Sequence, residues 1–210
     1  EDSQEAQADL QVLGAGGWTI TAGSGTPTKG IRTRLGNGIH LVTPYGLTGC
    51  GIRAIAQTHD RHLWLATDLG LARYDGEVFT FFTVEDGLPA YRASALATDR
   101  QGRLWVGTPK GVCVYNGETF THYTVDDGLI DNLVRALLVD RSGCIWIGTS
   151  RGISVYNGKD FTHFTTEDGL KSDDIGALLE DSSGQIWIGT VPGGVSIYDG
   201  ETMTSLDTRD

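Results

Sequence analysis

The chain is poor in the residues that define several common protein classes. Its 210 residues include 3 cysteines and 5 prolines. Cys50, Cys113 and Cys144 form no CxxC pair, so no zinc site is predicted. Three cysteines, an odd and small number, do not resemble a disulfide framework. A single disulfide between two of them is the alternative. No apolar run is long enough to span a bilayer, so membrane insertion is not expected.

Positively charged residues are also few. The sequence has 16 Lys and Arg residues against 27 Asp and Glu residues, a net charge of −11. This balance disfavours binding to nucleic acid phosphates and to anionic lipid surfaces. Residues 1–8 are polar, and they are either a mature end left by signal-peptide removal or simply the point at which the sequence starts.

Glycine, by contrast, is abundant, with 30 residues, and it recurs within an internal repeat. Trp64, Trp105, Trp146 and Trp187 are each 41 residues apart, and an Asp-Gly or Asn-Gly pair follows each of them at a nearly constant interval. A degenerate copy surrounds Trp18, which lies 46 residues before Trp64 because its connecting segment is longer. Five copies therefore account for almost the whole chain.

Each copy has the pattern of four short strands. In the copy at 134–164, "VRALLV", "CIWIGT", "ISVY" and "FTHFT" are separated by turn sequences. The apolar run of the second strand predicts burial on both faces, and the Asn-Gly pair predicts a two-residue type I′ hairpin. A four-stranded unit of this kind needs a neighbour on each face, and radial closure leaves no face uncovered. The sequence therefore predicts an all-β fold, a five-bladed β-propeller with four antiparallel strands per blade; an open β-solenoid is the alternative.

The repeat boundaries predict one domain over residues 1–210, with residues 1–8 as a polar tail. The predicted blades are residues 9–48, 49–88, 89–129, 130–170 and 171–210.

The repeated phrase resembles a known family. Its form is [LI]-W-[LVI]-G-T-x-x-G, then Y-[DN]-G, then F-T-x-[FY]-T-x-[ED]-D-G-L, over about residues 52–206. This phrase is similar to the two-component regulator propeller repeats and, more distantly, to streptogramin-lyase-type propellers. The first resemblance implies an extracytoplasmic sensor propeller of bacterial origin, periplasmic or secreted, with a ligand- or glycan-binding role. It does not imply a catalytic residue.

Positions that are the same in all copies point to the scaffold. The repeated tryptophans suit inter-blade packing better than sugar stacking because they lie in apolar strands. His122 and His163 recur on the outermost strand, where a solvated edge position is the simpler interpretation. The acidic pairs of the "EDGL" segments lack the spacing of a calcium loop, so they are interpreted as turn residues.

Positions that differ between copies point to the site. The segments ahead of each inner strand and the Thr-x-x-Gly connections should meet at one mouth of the central channel, and loops on a rigid frame often carry binding residues. The alternative, that these loops are unconstrained surface, stays open. The predicted ligand-binding residues are Tyr91, Arg92, Asp131, Asn132, Asp173, Asp174, Lys110 and Arg151.

The function predicted from these residues is binding without catalysis. The mixed aromatic, charged and amide set suits an oligosaccharide, a polyol or a peptide. No catalytic triad, phosphate loop or metal constellation is apparent, so no catalytic residue, metal or cofactor is predicted. Two alternatives stay open: a protein-interaction scaffold, and a lyase or glycoside hydrolase that uses Asp131, Asp173 or Asp174 at the channel.

Overall fold

The computed structural model describes residues 51–76 and 79–206, together with the backbone of two short strands near the N-terminus. These two strands, β1 (Leu10–Val12) and β2 (Trp18–Ile20), pair antiparallel. The rest of the predicted first blade, residues 9–48, and Cys50 lie outside the described residues. The count of five blades therefore remains a prediction.

Four sheets, each with four antiparallel strands, make up the described chain from residue 51 onward. We name them blades A to D. Blade A contains β3 (Ile52–Gln57), β4 (Leu63–Thr67), β5 (Gly70–Tyr74) and β6 (Phe79–Phe82). Blade B contains β7 (Ala95–Thr98), β8 (Leu104–Thr108), β9 (Gly111–Tyr115) and β10 (Phe120–Tyr123). Blade C contains β11 (Val134–Val139), β12 (Ile145–Thr149), β13 (Gly152–Tyr156) and β14 (Phe161–Phe164). Blade D contains β15 (Ile175–Glu180), β16 (Ile186–Thr190), β17 (Gly194–Tyr198) and β18 (Met203–Leu206).

Strand order within each blade follows the sequence, as the repeat predicts. The first strands of neighbouring blades lie side by side: β3 contacts β7, β7 contacts β11, and β11 contacts β15. In blades B and C, every residue of the second and third strands is buried or nearly so. This two-sided burial is what the apolar runs of the sequence predict.

Aromatic rings hold neighbouring blades together. The Trp64 ring of blade A lies 5.4 Å from the Tyr115 ring of blade B, and the Trp105 ring of blade B lies 5.8 Å from the Tyr156 ring of blade C. The Trp146 and Tyr198 rings repeat this contact between blades C and D. The repeated Trp and Tyr positions therefore form the same contact between successive blades. The packing interpretation is confirmed for Trp64, Trp105 and Trp146.

Each tryptophan is also tied to its own blade. The indole N–H groups of Trp105, Trp146 and Trp187 donate to the carboxylates of Asp99, Asp140 and Asp181, six residues earlier, over 2.8–2.9 Å. The Trp187 hydrogen bond, helped by backbone N–H donors, lowers the pKa of Asp181. At Asp140, burial opposes ionisation, but hydrogen bonds from Ser142, Trp146 and the turn backbone outweigh it and lower the pKa.

The third hairpin of the repeat corrects a prediction. Tyr156 pairs with Phe161, so four residues form the loop where a two-residue type I′ turn was predicted. The Asn157 side chain explains the difference, because its oxygen accepts hydrogen bonds from the backbone N–H groups of Lys159 and Asp160, 2.9 Å away in each case. Gly158 alone in this loop has positive φ, whereas type I′ requires two such residues.

The acidic pairs of the "EDGL" segments end short 3₁₀ helices. In η1 (Val84–Asp86), the Asp86 carboxylate accepts a hydrogen bond from the backbone N–H of Thr83, the residue that caps the helix, and Gly87 closes the turn at φ +105°. The same capping box recurs in η2 (Val125–Asp127) and η3 (Thr166–Asp168). These aspartates act as turn residues, as the sequence predicts.

Two of the three cysteines are described, and both are free thiols. Burial raises the pKa of Cys113 to about 12, so its thiol stays protonated and unreactive. No helix among the described residues is long and apolar enough to cross a membrane.

One charged side chain lies in the contact between blades A and B. The Arg73 guanidinium is 5.8 Å from the Trp64 ring centre and 5.9 Å from the Phe82 ring centre. Its Nε atom is buried and has no hydrogen-bond partner within the described part of the chain. The equivalent residues of the next three blades are Val114, Val155 and Ile197.

We expect Arg73→Val to raise the free energy of unfolding by about 1 kcal/mol, because removal of the buried Nε group, which lacks a hydrogen-bond partner among the described residues, outweighs the lost cation–π contact. In a protein of this size, thermal denaturation should then shift upward by roughly 2–4 °C. The converse change, Val114→Arg, should lower the denaturation temperature because it places the same cation between blades B and C. A lower denaturation temperature for Arg73→Val would show that the cation–π contact dominates.

Candidate functional site

A β-bulge at the start of the innermost strand shapes the candidate site. The strand register shifts between Ile52 and Ala54 in blade A, and between Val134 and Ala136 in blade C. The extra residues at these shifts are Arg53 and Arg135. A bulge changes the direction of the side chain of its extra residue. The two arginine side chains therefore lie in the region where the inner strands begin.

A cleft of about 500 Å³ lies at this end of the inner strands and takes residues from all four blades. It is lined by Ile52, Arg53, Arg92, Ser94, Pro109, Leu133, Val134, Arg135 and Gly176. The cleft lies at the end of the inner strands for which the sequence predicts a binding site, and its volume is within the range of small-molecule sites.

Three arginines and two carboxylates set the charge of this cleft. Arg53 Nε lies 2.6 Å from Asp68 Oδ1, and Arg92 Nε lies 3.9 Å from the same oxygen. Arg135 Nε lies 3.2 Å from Asp174 Oδ1, a buried oxygen that makes no aligned hydrogen bond within the described residues. Three cations therefore face two anions, and the local excess is positive.

Of the eight predicted residues, Arg92 lines the cleft and Asp174 is paired with a residue that lines it. Asp131 lies outside the cleft lining, and its carboxylate accepts a hydrogen bond from Ser150 Oγ at 2.5 Å. Lys110 and Arg151 are exposed in the β8–β9 and β12–β13 hairpins, on this face. Their backbone N–H groups donate to the threonine that begins each hairpin.

The structure gives Asn132 and Asp173 a supporting role. Asn132 Oδ1 accepts a hydrogen bond from the backbone N–H of Val125, and Asp173 Oδ1 accepts one from that of Thr166. Each side chain thus holds the first residue of a 3₁₀ helix. Their backbone carbonyls accept hydrogen bonds from Gly111 and Gly152 of the preceding blade, 2.7 Å away in each case. These two residues therefore tie the segment ahead of their inner strand to a 3₁₀ helix and to the preceding blade.

Tyr91 occupies the position equivalent to Asn132 and Asp173 but does not share their role. Its side chain is 62% exposed. A phenol ring at the mouth of a polar cleft offers both an apolar face and a hydroxyl to a ligand.

Arg53 and Arg135 are the residues that sequence reasoning missed. Both belong to segments that read as regular inner strands, in which the bulge is not apparent. The sequence does contain a signal for them. The equivalent positions of the four blades are Arg53, Ser94, Arg135 and Gly176, and such variation is not typical of the interior of a strand. Among the residues that the structure describes, no cluster of His, Cys, Asp or Glu is suited to hold a metal ion.

Comparison with known proteins supports the interpretation of the repeat. Residues 87–110, 128–151 and 169–191 match the family model described as two component regulator propeller. These three segments thus match repeats of the type that the sequence resembles. No curated protein matches the chain.

Solved structures share the fold. The extracellular domain assigned to the hybrid two component system BT3049 of B. thetaiotaomicron is 22% identical with a TM-score of 0.71; the match covers 80% of this chain and 24% of that one. The corresponding domain of BT4673 from the same organism is 22% identical with a TM-score of 0.66 and coverages of 77% and 22%. A virginiamycin B lyase of Staphylococcus aureus, bound to quinupristin, is 11% identical with a TM-score of 0.57 and coverages of 92% and 69%. The chain thus spans about a quarter of the length of the first two proteins.

Proposed function

We propose that this chain of propeller repeats is a non-enzymatic ligand-binding module whose channel-mouth face takes an oligosaccharide, a polyol or a peptide. The observation that carries the proposal is the cleft of about 500 Å³ into which four blades place arginines, apolar side chains and backbone. Tyr91 is exposed, and it precedes the lining residue Arg92 in sequence, so we assign its ring to the same binding face.

The state of the nearby acidic groups favours binding over catalysis. General acid–base chemistry needs a carboxyl group with an available proton site near the substrate. Asp68 and Asp174 are each paired with an arginine, and Asp173 is hydrogen-bonded to the backbone of η3. These pairings commit the three carboxylates to contacts within the protein and suit a charged rim.

The location proposed for the module is outside the cytoplasm, in the periplasm or secreted. Two of the solved structures that share the fold are extracellular domains of proteins assigned to hybrid two component systems. The matching family model is described as two component regulator propeller, which names the same kind of regulatory system. A sensor region that presents a binding face to the cell exterior is consistent with both.

A glycan array tests the proposed function. The wild-type chain should bind a defined subset of glycans, and both Tyr91→Ala and Arg151→Ala should reduce that signal at least tenfold because they remove contacts at the channel mouth. Arg100→Ala is the matched control, since Arg100 lies in the β7–β8 turn at the other end of blade B.

Two results would contradict the proposal. A glycan signal that survives both channel-mouth substitutions would place the binding site elsewhere. Turnover of a glycan or a cyclic ester that is abolished by Asp173→Asn would make the protein an enzyme. Asparagine keeps the acceptor oxygen that holds η3, as Asn132 does for η2, so this variant should fold.

A further inference from the structure

We infer that the ligand of the cleft carries a carboxylate, and that the ligand is a short acidic sugar bound by Arg53, Arg92 and Arg135. This inference rests on the proposed function and names the chemistry of the ligand. The contacts of the three arginines give the first argument for it.

Each of the three arginines makes its closest ion-pair contact through Nε alone. Within the described residues, no hydrogen bond to protein occupies their terminal guanidinium nitrogens. The three side chains are 38%, 50% and 41% exposed. Two parallel N–H donors on a planar group match the two oxygens of a carboxylate.

The arrangement of charge at the cleft points the same way. Arg53, Arg92 and Arg135 line it, whereas Asp68 and Asp174 are not among its described lining residues. A ligand therefore meets the cations first. The whole chain carries a net charge of −11, so a long polyanion is repelled by the rest of the surface. A small anion of the size of the cleft avoids most of that repulsion.

The remaining walls favour a sugar ring beside the carboxylate. Ile52 and Leu133 are 41% and 36% exposed, and Pro109 also lines the cleft. Such side chains pack against the C–H face of a pyranose while the arginines hold its acidic group. A compact cleft of about 500 Å³ suits one to three rings better than an extended peptide.

Calorimetric titration of the full chain tests the inference with three probes. These are trigalacturonic acid, its fully methyl-esterified form and a triglutamate peptide. The acid should bind, and the neutral ester of nearly the same shape should bind at least tenfold more weakly. Raising NaCl from 0.05 to 0.5 M should weaken binding of the acid, since screening acts on exposed charges.

Substitutions assign the effect to residues. Arg53→Gln and Arg135→Gln should each weaken binding of the acid at least tenfold, and Arg135→Lys should restore only part of the loss because lysine keeps the charge but lacks the planar fork. Arg100→Gln makes the same charge change at the other end of blade B and should leave binding unchanged. Unaltered thermal denaturation of each variant establishes that it is folded.

The outcomes separate this inference from the proposed function. Equal binding of acid and ester, binding of triglutamate alone, or no binding of any probe overturns the acidic-sugar assignment. The proposed function stands in those cases if the array signal for another ligand is lost in Tyr91→Ala, and it falls if that signal is insensitive to every channel-mouth substitution.

Discussion

Replacing Trp105 with alanine should lower the free energy of unfolding by about 4 kcal/mol, the upper range for loss of a buried aromatic side chain. Trp105 is 1% exposed, stacks on Tyr123 of its own blade and contacts Tyr156 of the next blade. Its removal leaves a cavity within blade B and at the contact with blade C. It also removes a hydrogen bond from the carboxylate of Asp99, which is 2% exposed.

Urea denaturation followed by circular dichroism measures the loss of unfolding free energy. The Trp105→Phe variant separates the packing contribution from that of the hydrogen bond. Phenylalanine keeps most of the packing and loses the indole N–H, so it should cost about 1–3 kcal/mol, the penalty for an unmade buried hydrogen bond. Tyr91→Ala removes a mostly exposed aromatic side chain and should change stability by less than about 0.5 kcal/mol. A cost below 1 kcal/mol for Trp105→Ala would contradict the role given to the repeated tryptophans.

The success of the sequence interpretation at such positions has a physical cause. Equivalent positions in the copies have the same packing environment. A residue type that recurs, as at Trp105 and Trp146, therefore fits a contact that all blades make. The four-stranded blades, the buried second strands and the turn role of the repeated aspartates follow from this internal comparison. The strand pairing of blades A to D follows from it as well.

The features that the sequence does not predict depend on local hydrogen bonds and strand irregularities, which the repeat pattern does not reveal. At Asn157, side-chain hydrogen bonds to two backbone N–H groups select a four-residue loop over the two-residue turn. At Arg53 and Arg135, a bulge changes the direction of a residue that strand alternation assigns otherwise. Asn132 and Asp173 differ in type from Tyr91, and this variation predicts site residues. In the structure, each side chain accepts a hydrogen bond from the first residue of a 3₁₀ helix.

The second large effect concerns the glycine of the "W-x-G-T" phrase, which lies where one blade meets the inner strand of the next. A Cβ atom built on Gly107 would lie 2.6 Å from Val134 Cγ1, and one on Gly148 would lie 2.6 Å from Ile175 Cγ2. Blade A has alanine at this position, Ala66, and the residue of the next blade equivalent to Val134 and Ile175 is also alanine, Ala93, just ahead of β7. Both alanines are fully buried in one cluster. A larger residue on one side thus accompanies a smaller one on the other.

Gly107→Ala should therefore destabilise the protein by about 2 kcal/mol, because the added methyl group overfills a closed contact. Val134→Ala should cost roughly 2 kcal/mol through lost burial of two methyl groups and a small cavity. The double variant reproduces the Ala66–Ala93 pair. It should therefore be more stable than the sum of the single effects predicts, by at least 1 kcal/mol of coupling energy.

Gly117→Ala supplies the control for this double-mutant cycle. Gly117 has φ +105° and no atom within 4 Å of its added Cβ, so its cost comes from backbone strain alone. That cost should be the same in the wild-type and Val134→Ala backgrounds. If Gly107→Ala and Val134→Ala were equally additive, matched side-chain size would not determine how blades B and C pack. The close approach of the blades would then depend on the aromatic contacts between Trp105 and Tyr156.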